Sequence, residues 1–276
     1  MTPFLKMHGL GNDFVVFDSR KSKLSLDHHS ARAVADRRRG IGCDQVIVIE
    51  KSANDADALM RIYNADGSEV ESCGNAARCV AQVLMDESRR DSVRLDTEGG
   101  ALVCRHMDSM ISVDMGPPQL GWRDIPLSQD CDTNLFTVSI AGEELHGAAA
   151  VSMGNPHCVL FVQKVQDAAV DTIGPAVESA PLFPERTNVE FVQVLSAEKL
   201  RVRVWERGTG MTLACGTGAC AAMVAAKRRG LCGARAEVLL DGGPLTIEWQ
   251  DADSHVMMIG PATLVYRGEI DLRALA

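Results

Sequence analysis

Cys73-Gly74-Asn75 and Cys215-Gly216-Thr217 are two copies of one short pattern, which begins at positions 73 and 215 and therefore has an offset of 142 residues. Each cysteine follows a polar turn and precedes a stretch rich in Ala, Val and Leu at helical spacing, from Gly74 to Glu87 and from Gly216 to Arg229. The pattern predicts that each thiol lies at the N-terminus of a helix, where unpaired backbone N–H groups bind anions.

Other polar landmarks recur at nearly the same offset, which indicates an internal duplication. The matched landmarks are Gly11-Asn12 with Gly154-Asn155, Gln45 with Asn188, and Arg61-Ile62-Tyr63-Asn64 with Arg203-Val204-Trp205-Glu206. Four matches in the same order favour two copies of one structural unit. The alternative is a chance alignment of common dipeptides such as Gly-Asn and Cys-Gly.

Short β-branched or apolar runs bounded by Gly, Asn or Asp predict strands in both copies. The predicted strands are 14–18, 46–49, 61–64 and 93–96, then 159–162, 189–194, 201–205 and 237–240. A further helix is predicted from Ser30 to Arg39, and Gly116-Pro117-Pro118 is the best linker candidate.

These elements predict an α+β fold of two pseudo-symmetric lobes, each a mixed β-sheet wrapped around a central helix. The expected lobes are 1–116, completed by the C-terminal segment 262–276, and 117–261. We expect the active site in the cleft between the lobes, since small-molecule sites favour such positions.

The charge and hydropathy of the chain exclude several classes of protein. Its 276 residues carry a net charge of −9, which argues against a nucleic-acid partner. Two basic runs, Arg37-Arg38-Arg39 and Lys227-Arg228-Arg229, each precede a glycine, so we expect them in the last turns of helices. The first thirty residues do not resemble a signal peptide and no stretch is apolar enough to span a bilayer, so we expect a cytoplasmic protein without a membrane partner.

The nine cysteines do not form a known disulfide or metal pattern. An odd number without a secretion signal argues against a disulfide framework. The chain contains no Cys-x-x-Cys pair, so the usual zinc spacing is absent and no metal is expected. Most of the thiols are therefore expected to be small buried hydrophobic groups.

Two opposed thiols at helix N-termini suit the inversion of a stereocentre that bears a hydrogen. The positive end of each helix predicts a thiol pKa below the free value of about 8.5. Gly74 and Gly216 would let a carboxylate approach the helix ends closely. One thiolate would then remove the α-proton from one face while the other thiol protonates the opposite face. Fixed dipoles would stabilise the carbanion.

The remaining polar residues predict contacts with the rest of a ligand. Asparagines lie at the ends of strand-like runs, and they are Asn12, Asn64, Asn155 and Asn188. A single Asn there is usually a turn residue, but four at duplicated positions favour ligand binding.

The two copies differ where Asn64 and Ala65 in the first correspond to Glu206 and Arg207 in the second. This charged pair could recognise a distal zwitterionic group, or it could be a surface ion pair. His157 lies next to a duplicated landmark and could support one thiol, or it could be a structural residue.

Several motifs in order resemble those of the diaminopimelate epimerase family. They are Met7-His8-Gly9-Leu10-Gly11-Asn12-Asp13-Phe14, Asn64-Ala65-Asp66-Gly67-Ser68-Glu69, Cys73-Gly74-Asn75, Gly154-Asn155-Pro156-His157, Arg186-Thr187-Asn188-Val189, Trp205-Glu206-Arg207-Gly208 and Ala214-Cys215-Gly216-Thr217-Gly218. The C-terminal Val265-Tyr266 also fits. One departure is Ala76, where the family usually has Gly; an Ala within a helix should be tolerated.

The resemblance implies that the chain is an isomerase that interconverts LL- and meso-diaminopimelate without pyridoxal phosphate, any other cofactor or a metal. It implies a role in lysine and peptidoglycan precursor synthesis. Cys73 and Cys215 would be the catalytic base and acid, and His157 and Glu206 would tune the thiols. The implied substrate-binding residues are Asn12, Gln45, Asn64, Gly74, Asn75, Asn155, Asn188, Glu206, Arg207, Gly216 and Thr217. Tyr266 matches a dimer-contact position, so a homodimer is expected.

Two alternatives remain. A proline-racemase-like enzyme would use the same duplicated cysteines with a smaller pocket and would not need Glu206 and Arg207. A thiol-based redox protein would oxidise Cys73 and Cys215 to a disulfide as its function.

Overall fold

The computed structural model describes residues 1–22, 24, 26–140, 142–251 and 254–275, so Ala276, at the end of the predicted C-terminal segment, lies outside the described residues. The chain divides into two compact units. The first comprises Met1–Asp114 and Ile259–Ala276, and the second comprises Met115–Met258.

The first unit contains nine strands and two helices in the part of the chain that is described. These are β1 (Thr2–Gly9), β2 (Asn12–Asp18), α1 (His28–Ala35), β3 (Gln45–Glu50), β4 (Ala58–Asn64), β5 (Glu69–Val70), α2 (Gly74–Ser88), β6 (Ser92–Thr97), β7 (Gly100–Met107), β8 (Met110–Asp114) and β18 (Thr263–Ile270).

The second unit has a closely similar order of elements. They are β9 (Phe136–Ile140), β10 (Glu143–Ser152), β11 (Pro156–Phe161), α3 (Val170–Glu178), β12 (Asn188–Ser196), β13 (Lys199–Glu206), β14 (Gly210–Thr212), α4 (Gly216–Arg228), β15 (Arg235–Leu240), β16 (Gly243–Glu248) and β17 (Met257–Gly260), the last of which runs across the boundary in sequence. Short 3₁₀ turns occur at Val165–Asp167 and, in the first unit, at Leu272–Leu275.

Strand pairing repeats between the units, which confirms the duplication. In the first, β1 and β2 are antiparallel, β2 and β3 parallel, β3 and β4 antiparallel, and β4 pairs with both β5 and β6. Strands β10 to β15 repeat this order and these directions. The register also matches, because Phe14 lies opposite Gln45 and His157 lies opposite Asn188.

One helix occupies the centre of each unit. Helix α2 contacts β1, β2, β6, β7 and β8, and α4 contacts β10, β11, β12, β13, β15 and β16. Every residue of α4 from Ala219 to Ala226 is fully buried, as expected for a helix that is apolar on all sides. The predicted α+β class, with a mixed sheet around a central helix in each lobe, is therefore confirmed.

Helix α1 differs from its prediction. It begins after Asp27, whose carboxylate accepts from Ser30 N at 2.8 Å, and it ends at Ala35. The carboxylate of Asp36 accepts from the backbone N–H groups of Arg38 and Arg39, at 2.7 and 2.8 Å, and this local turn replaces the next helical turn. The predicted position of the first basic run in a last helical turn was wrong. That of the second was right, because Lys227 and Arg228 lie in the last turn of α4.

Candidate active site

Cys73 is the residue that precedes the first turn of α2. Its backbone is extended, with φ −148° and ψ 109°, and its carbonyl accepts from Ala77 N at 2.9 Å. The partly exposed thiol lies 4.0 Å from Asn12 Oδ1, and Asn75 Nδ2 donates to the same oxygen at 3.2 Å. The first unit therefore brings together Cys73, Asn12, Asn75 and the N-terminus of α2.

Charged residues hold the two asparagines in place. Asn12 Nδ2 donates to Asp44 Oδ2 at 3.1 Å, and Arg78 Nη2 donates to Asn75 Oδ1 at 2.9 Å. Arg78 is fully buried in α2 and its Nε also donates to the carbonyl of Pro261 at 3.1 Å. Asp44 and Arg78 thus fix the orientation of the Asn12 and Asn75 amides beside Cys73.

Gln45 and Asn64 form a second polar group of the first unit. Gln45 Nε2 donates to Asn64 Oδ1 at 3.1 Å, and Asn64 Nδ2 donates to Ser68 Oγ at 3.1 Å. Gln45 Oε1 is buried and has no hydrogen-bond partner within the described residues. Buried acceptors are normally satisfied, so this oxygen is suited to accept from a ligand N–H.

Cys215 precedes the first turn of α4 in the same way, but its surroundings differ. Its Sγ accepts from Gly218 N at 3.3 Å and lies 3.5 Å from Thr217 Oγ1. Only 6% of the residue is exposed. Burial, followed by the carboxylates of Glu206 and Glu190, raises the pKa of this thiol well above its usual value. The predicted lowering of the thiol pKa was therefore wrong for Cys215, because burial outweighs the helix end and the hydrogen bonds.

His157 is connected to Cys215 through two intervening side chains. Its Nε2 lies 2.9 Å from Asn155 Oδ1, and Asn155 Nδ2 donates to Thr217 Oγ1 at 3.4 Å. On its other side, His157 Nδ1 lies 2.7 Å from Glu190 Oε1, and both residues of this pair are fully buried.

The turn after β13 carries Glu206 and Arg207. Asn188 uses Nδ2 to donate to Pro156 O at 2.9 Å and Oδ1 to accept from Arg207 N at 3.0 Å. Thr212 donates its hydroxyl to Glu206 Oε1. The Arg207 side chain is exposed and donates to Glu185 O at 3.1 Å.

Glu178 at the end of α3 fixes the same turn. One carboxylate oxygen accepts from Trp205 Nε1 at 2.7 Å and the other from Gly208 N at 3.0 Å. Glu206 and Arg207 lie between Trp205 and Gly208, so Glu178 holds the turn that carries them at both ends.

Sequence reasoning missed four residues that support the site: Asp44, Arg78, Glu178 and Glu190. Two of them carry a visible signal. Arg78 interrupts the apolar helix of Ala76-Ala77-Arg78-Cys79-Val80, and Glu190 interrupts the apolar strand of Val189-Glu190-Phe191-Val192. A charge inside a run that should be buried indicates a specific partner. Asp44 and Glu178 lie in segments that give no such signal.

Tyr266 lies on β18 and is 45% exposed. Its ring packs edge-on against Phe4 with a centroid distance of 6.0 Å. Its neighbours Leu264 and Val265 are also exposed. The predicted dimer contact of Tyr266 stays a prediction.

Two absences apply to the part of the chain that the structure describes. It contains no group of three or more His, Cys, Asp or Glu side chains that could hold a metal ion. It also contains no helix of the length and apolarity that a membrane span requires.

The chain is similar to known proteins along nearly its whole length. A family model described as diaminopimelate epimerase matches residues 4–121 and 149–265. A diaminopimelate epimerase of Acidiphilium cryptum is 50% identical over 99% of this chain and 98% of its own. One of Phenylobacterium zucineum is 51% identical over 97% of both chains. A solved hydroxyproline epimerase from Agrobacterium vitis covers 97% of this chain and 91% of its own with a TM-score of 0.68 and 16% identity, so it shares the fold.

Proposed function

We propose that this chain, which belongs to the diaminopimelate epimerase family, interconverts LL- and meso-diaminopimelate and so supplies a precursor of lysine and peptidoglycan. One observation carries the proposal beyond the family match. Each unit places a cysteine at the N-terminus of its central helix, at corresponding positions of a duplicated fold. Inversion at a carbon that bears hydrogen needs one proton acceptor and one proton donor, which two such thiols supply.

The environments of the thiols favour different starting roles. Because burial holds Cys215 in its protonated form, we propose that it is the acid of the first turnover. Partly exposed Cys73 is then the base. Its thiolate takes the α-proton, and the S–H of Cys215 delivers a proton to the opposite face of the carbanion. Turnover leaves Cys73 protonated and Cys215 as thiolate, which is the arrangement required for the reverse reaction.

The helix N-termini would bind the carboxylate next to the reacting carbon. Backbone N–H groups at Gly74 and Asn75, and at Gly216 and Thr217, belong to the first turns of α2 and α4. Deprotonation moves negative charge from the α-carbon onto this carboxylate, so N–H groups aimed there stabilise the carbanion more than the substrate. This requires neither a pyridoxal cofactor nor a metal, and we propose that none is used.

The rest of the substrate would be recognised by the polar residues at the strand ends. The carboxylate of Glu206 suits a distal ammonium group, and the exposed guanidinium of Arg207 suits a distal carboxylate. The buried acceptor of Gln45 and the amides of Asn12, Asn64, Asn155 and Asn188 complete the proposed binding set, and His157 and Glu206 tune the thiols. Proline lacks a distal zwitterionic group, so this set favours diaminopimelate.

We also propose that the protein works in the cytoplasm as a homodimer that includes Tyr266. The exposed apolar side chains of Leu264, Val265 and Tyr266 on β18 support an interface there.

The test is turnover of LL-diaminopimelate by the purified, reduced protein in heavy water, with a chelator present and no cofactor added. We expect meso product and one solvent deuteron at the inverted carbon, with no reaction of proline. Turnover of proline but not of diaminopimelate would favour the proline-racemase-like alternative. Absence of both reactions, with a reversible Cys73–Cys215 disulfide, would favour the redox alternative.

A further inference from the structure

A buried carboxylate, Glu190, lies in the second unit where the first has an apolar side chain. At the duplication offset of 143 residues, Glu190 corresponds to Ile47 and His157 corresponds to Phe14. The strand registers agree, since Ile47 lies opposite Val16 and Glu190 opposite Val159. All four corresponding side chains are almost completely buried. A buried ionisable pair is usually less stabilising than an apolar pair of similar size. The presence of His157 and Glu190 in the second unit alone therefore indicates a functional role.

The contacts of the pair determine where its protons lie. Asn155 Oδ1 is an acceptor, so His157 Nε2, 2.9 Å away, carries a hydrogen. His157 Nδ1 lies 2.7 Å from Glu190 Oε1. Between these two atoms there is one proton, on the carboxyl or on the ring. In either case the pair is neutral as a whole, and burial, which raises the pKa of Glu190, opposes loss of that proton.

The orientation of Asn155 follows from this arrangement. With Oδ1 toward His157, its Nδ2 faces Thr217 Oγ1 at 3.4 Å, and that hydroxyl lies 3.5 Å from Cys215 Sγ. A histidine protonated only on Nδ1 would instead accept at Nε2 and turn the amide around. Thr217 would then face an acceptor in place of a donor. The state of one buried ring thus decides the polarity of the groups beside the thiol.

Glu190 also lies against the helix turn that carries Cys215. A Cβ placed at Gly218 would be 2.8 Å from Glu190 Oε1 and 3.2 Å from Cys215 Sγ. The second oxygen, Glu190 Oε2, is buried without a hydrogen-bond partner among the described residues. Among the described side chains, the hydrogen bond of Glu190 is therefore the one from Oε1 to the ring of His157.

We propose that Glu190 is a positioning residue that keeps a proton on Nε2 of His157. It thereby holds the Asn155 amide with its N–H groups toward Thr217, whose hydroxyl lies beside Cys215. The inference rests on the function proposed above. A glutamine at position 190 would preserve this role, because its amide N–H donates to Nδ1 and leaves the proton on Nε2. An isoleucine would not, because it offers nothing to Nδ1.

The kinetic test compares E190Q, E190I, H157F and the double variant H157F/E190I in both directions of diaminopimelate epimerisation. We expect E190Q to retain activity within about threefold and E190I to lose about ten- to a hundredfold in kcat with little change in KM, as for a misplaced polar group. Since Glu190 acts through His157, the double variant should be no slower than H157F. The double variant places at positions 157 and 190 the same two residues that the first unit buries at Phe14 and Ile47. We therefore expect it to fold, so that a loss of its activity is not caused by unfolding.

A second readout is independent of turnover. Nitrogen-15 NMR of the histidine rings, with His157 assigned by its absence in H157F, should show Nε2 protonated in the wild type and in E190Q, and a proton shift toward Nδ1 in E190I. The inference is overturned by a wild-type ring protonated on Nδ1 alone, by wild-type kcat in E190I, or by an E190Q defect equal to that of E190I. If the wild type has the expected ring state but does not turn over diaminopimelate, the proposed function fails instead.

Discussion

Alkylation of the two site cysteines at different pH values tests whether they start in different protonation states. A thiol reacts with iodoacetamide as the thiolate. The pKa of Cys215 lies well above 9.0, mainly because the side chain is buried. At pH 7 its ionised fraction is therefore below about 1%. Its alkylation rate should be below about one-hundredth of that of a fully ionised thiol, and should rise about tenfold per pH unit without levelling off below pH 9.

The assay is peptide mass spectrometry of the ligand-free, reduced protein after timed exposure to iodoacetamide between pH 6 and 9. We expect modification of Cys73 first, because its thiol is the more exposed of the two. Variant C73S serves as the control that removes the competing site and leaves the environment of Cys215 in place. Equal rates for Cys73 and Cys215 at pH 7, or a plateau in the Cys215 rate below pH 9, would refute the reasoning.

Four further results are expected. C73S and C215S should each lose at least about a hundredfold in epimerisation rate, since serine is a far weaker proton carrier, whereas near-normal turnover by either would contradict its assigned role. G218A should lower the free energy of unfolding in urea by about 1–3 kcal/mol, because the added Cβ would collide with Glu190. The control G233A should change it by less than about 0.5 kcal/mol, because the nearest atom to its added Cβ is 3.9 Å away. Burial raises the pKa of Asp13, but hydrogen bonds from Arg37 and Lys6 outweigh it and lower the pKa from 3.8 to about 2. In urea titrations between pH 5 and pH 2, the wild type should therefore lose about 2 kcal/mol more stability than D13N. Y266D should shift the protein from dimer to monomer in sedimentation velocity, and an unchanged mass would remove Tyr266 from the interface.

The central helices could be predicted from the sequence because their signals are local. The predicted helices, 74–87 and 216–229, differ by one residue at one end from α2 (Gly74–Ser88) and α4 (Gly216–Arg228). Each of the eight predicted strands overlaps an observed strand. Apolar periodicity, helix propensity and boundary residues each involve residues that are close in sequence. They can therefore be recognised without knowledge of the tertiary structure. The same holds for the duplication, which depends on spacing alone.

The end of α1 shows the limit of such reasoning. A run of three arginines before Gly40 suggested a last helical turn, but the side chain of Asp36 captures the N–H groups of Arg38 and Arg39 first. Continuation of the helix competed with the side-chain hydrogen bonds of Asp36. The sequence does not give the relative free energies of these two conformations, so it could not decide between them.

The sequence by itself determined that Cys73 and Cys215 each precede a central helix and that the two helices belong to a duplicated fold. What only the tertiary structure decided was how those cysteines differ. The helix end predicted a lowered thiol pKa, yet the pKa of Cys215 is raised because the fold buries its side chain and places Glu206 and Glu190 nearby. Desolvation and electrostatic interactions depend on which residues are neighbours in space, and these neighbours are known only from the tertiary structure. Glu190, for example, contacts His157 only because β12 pairs with β11.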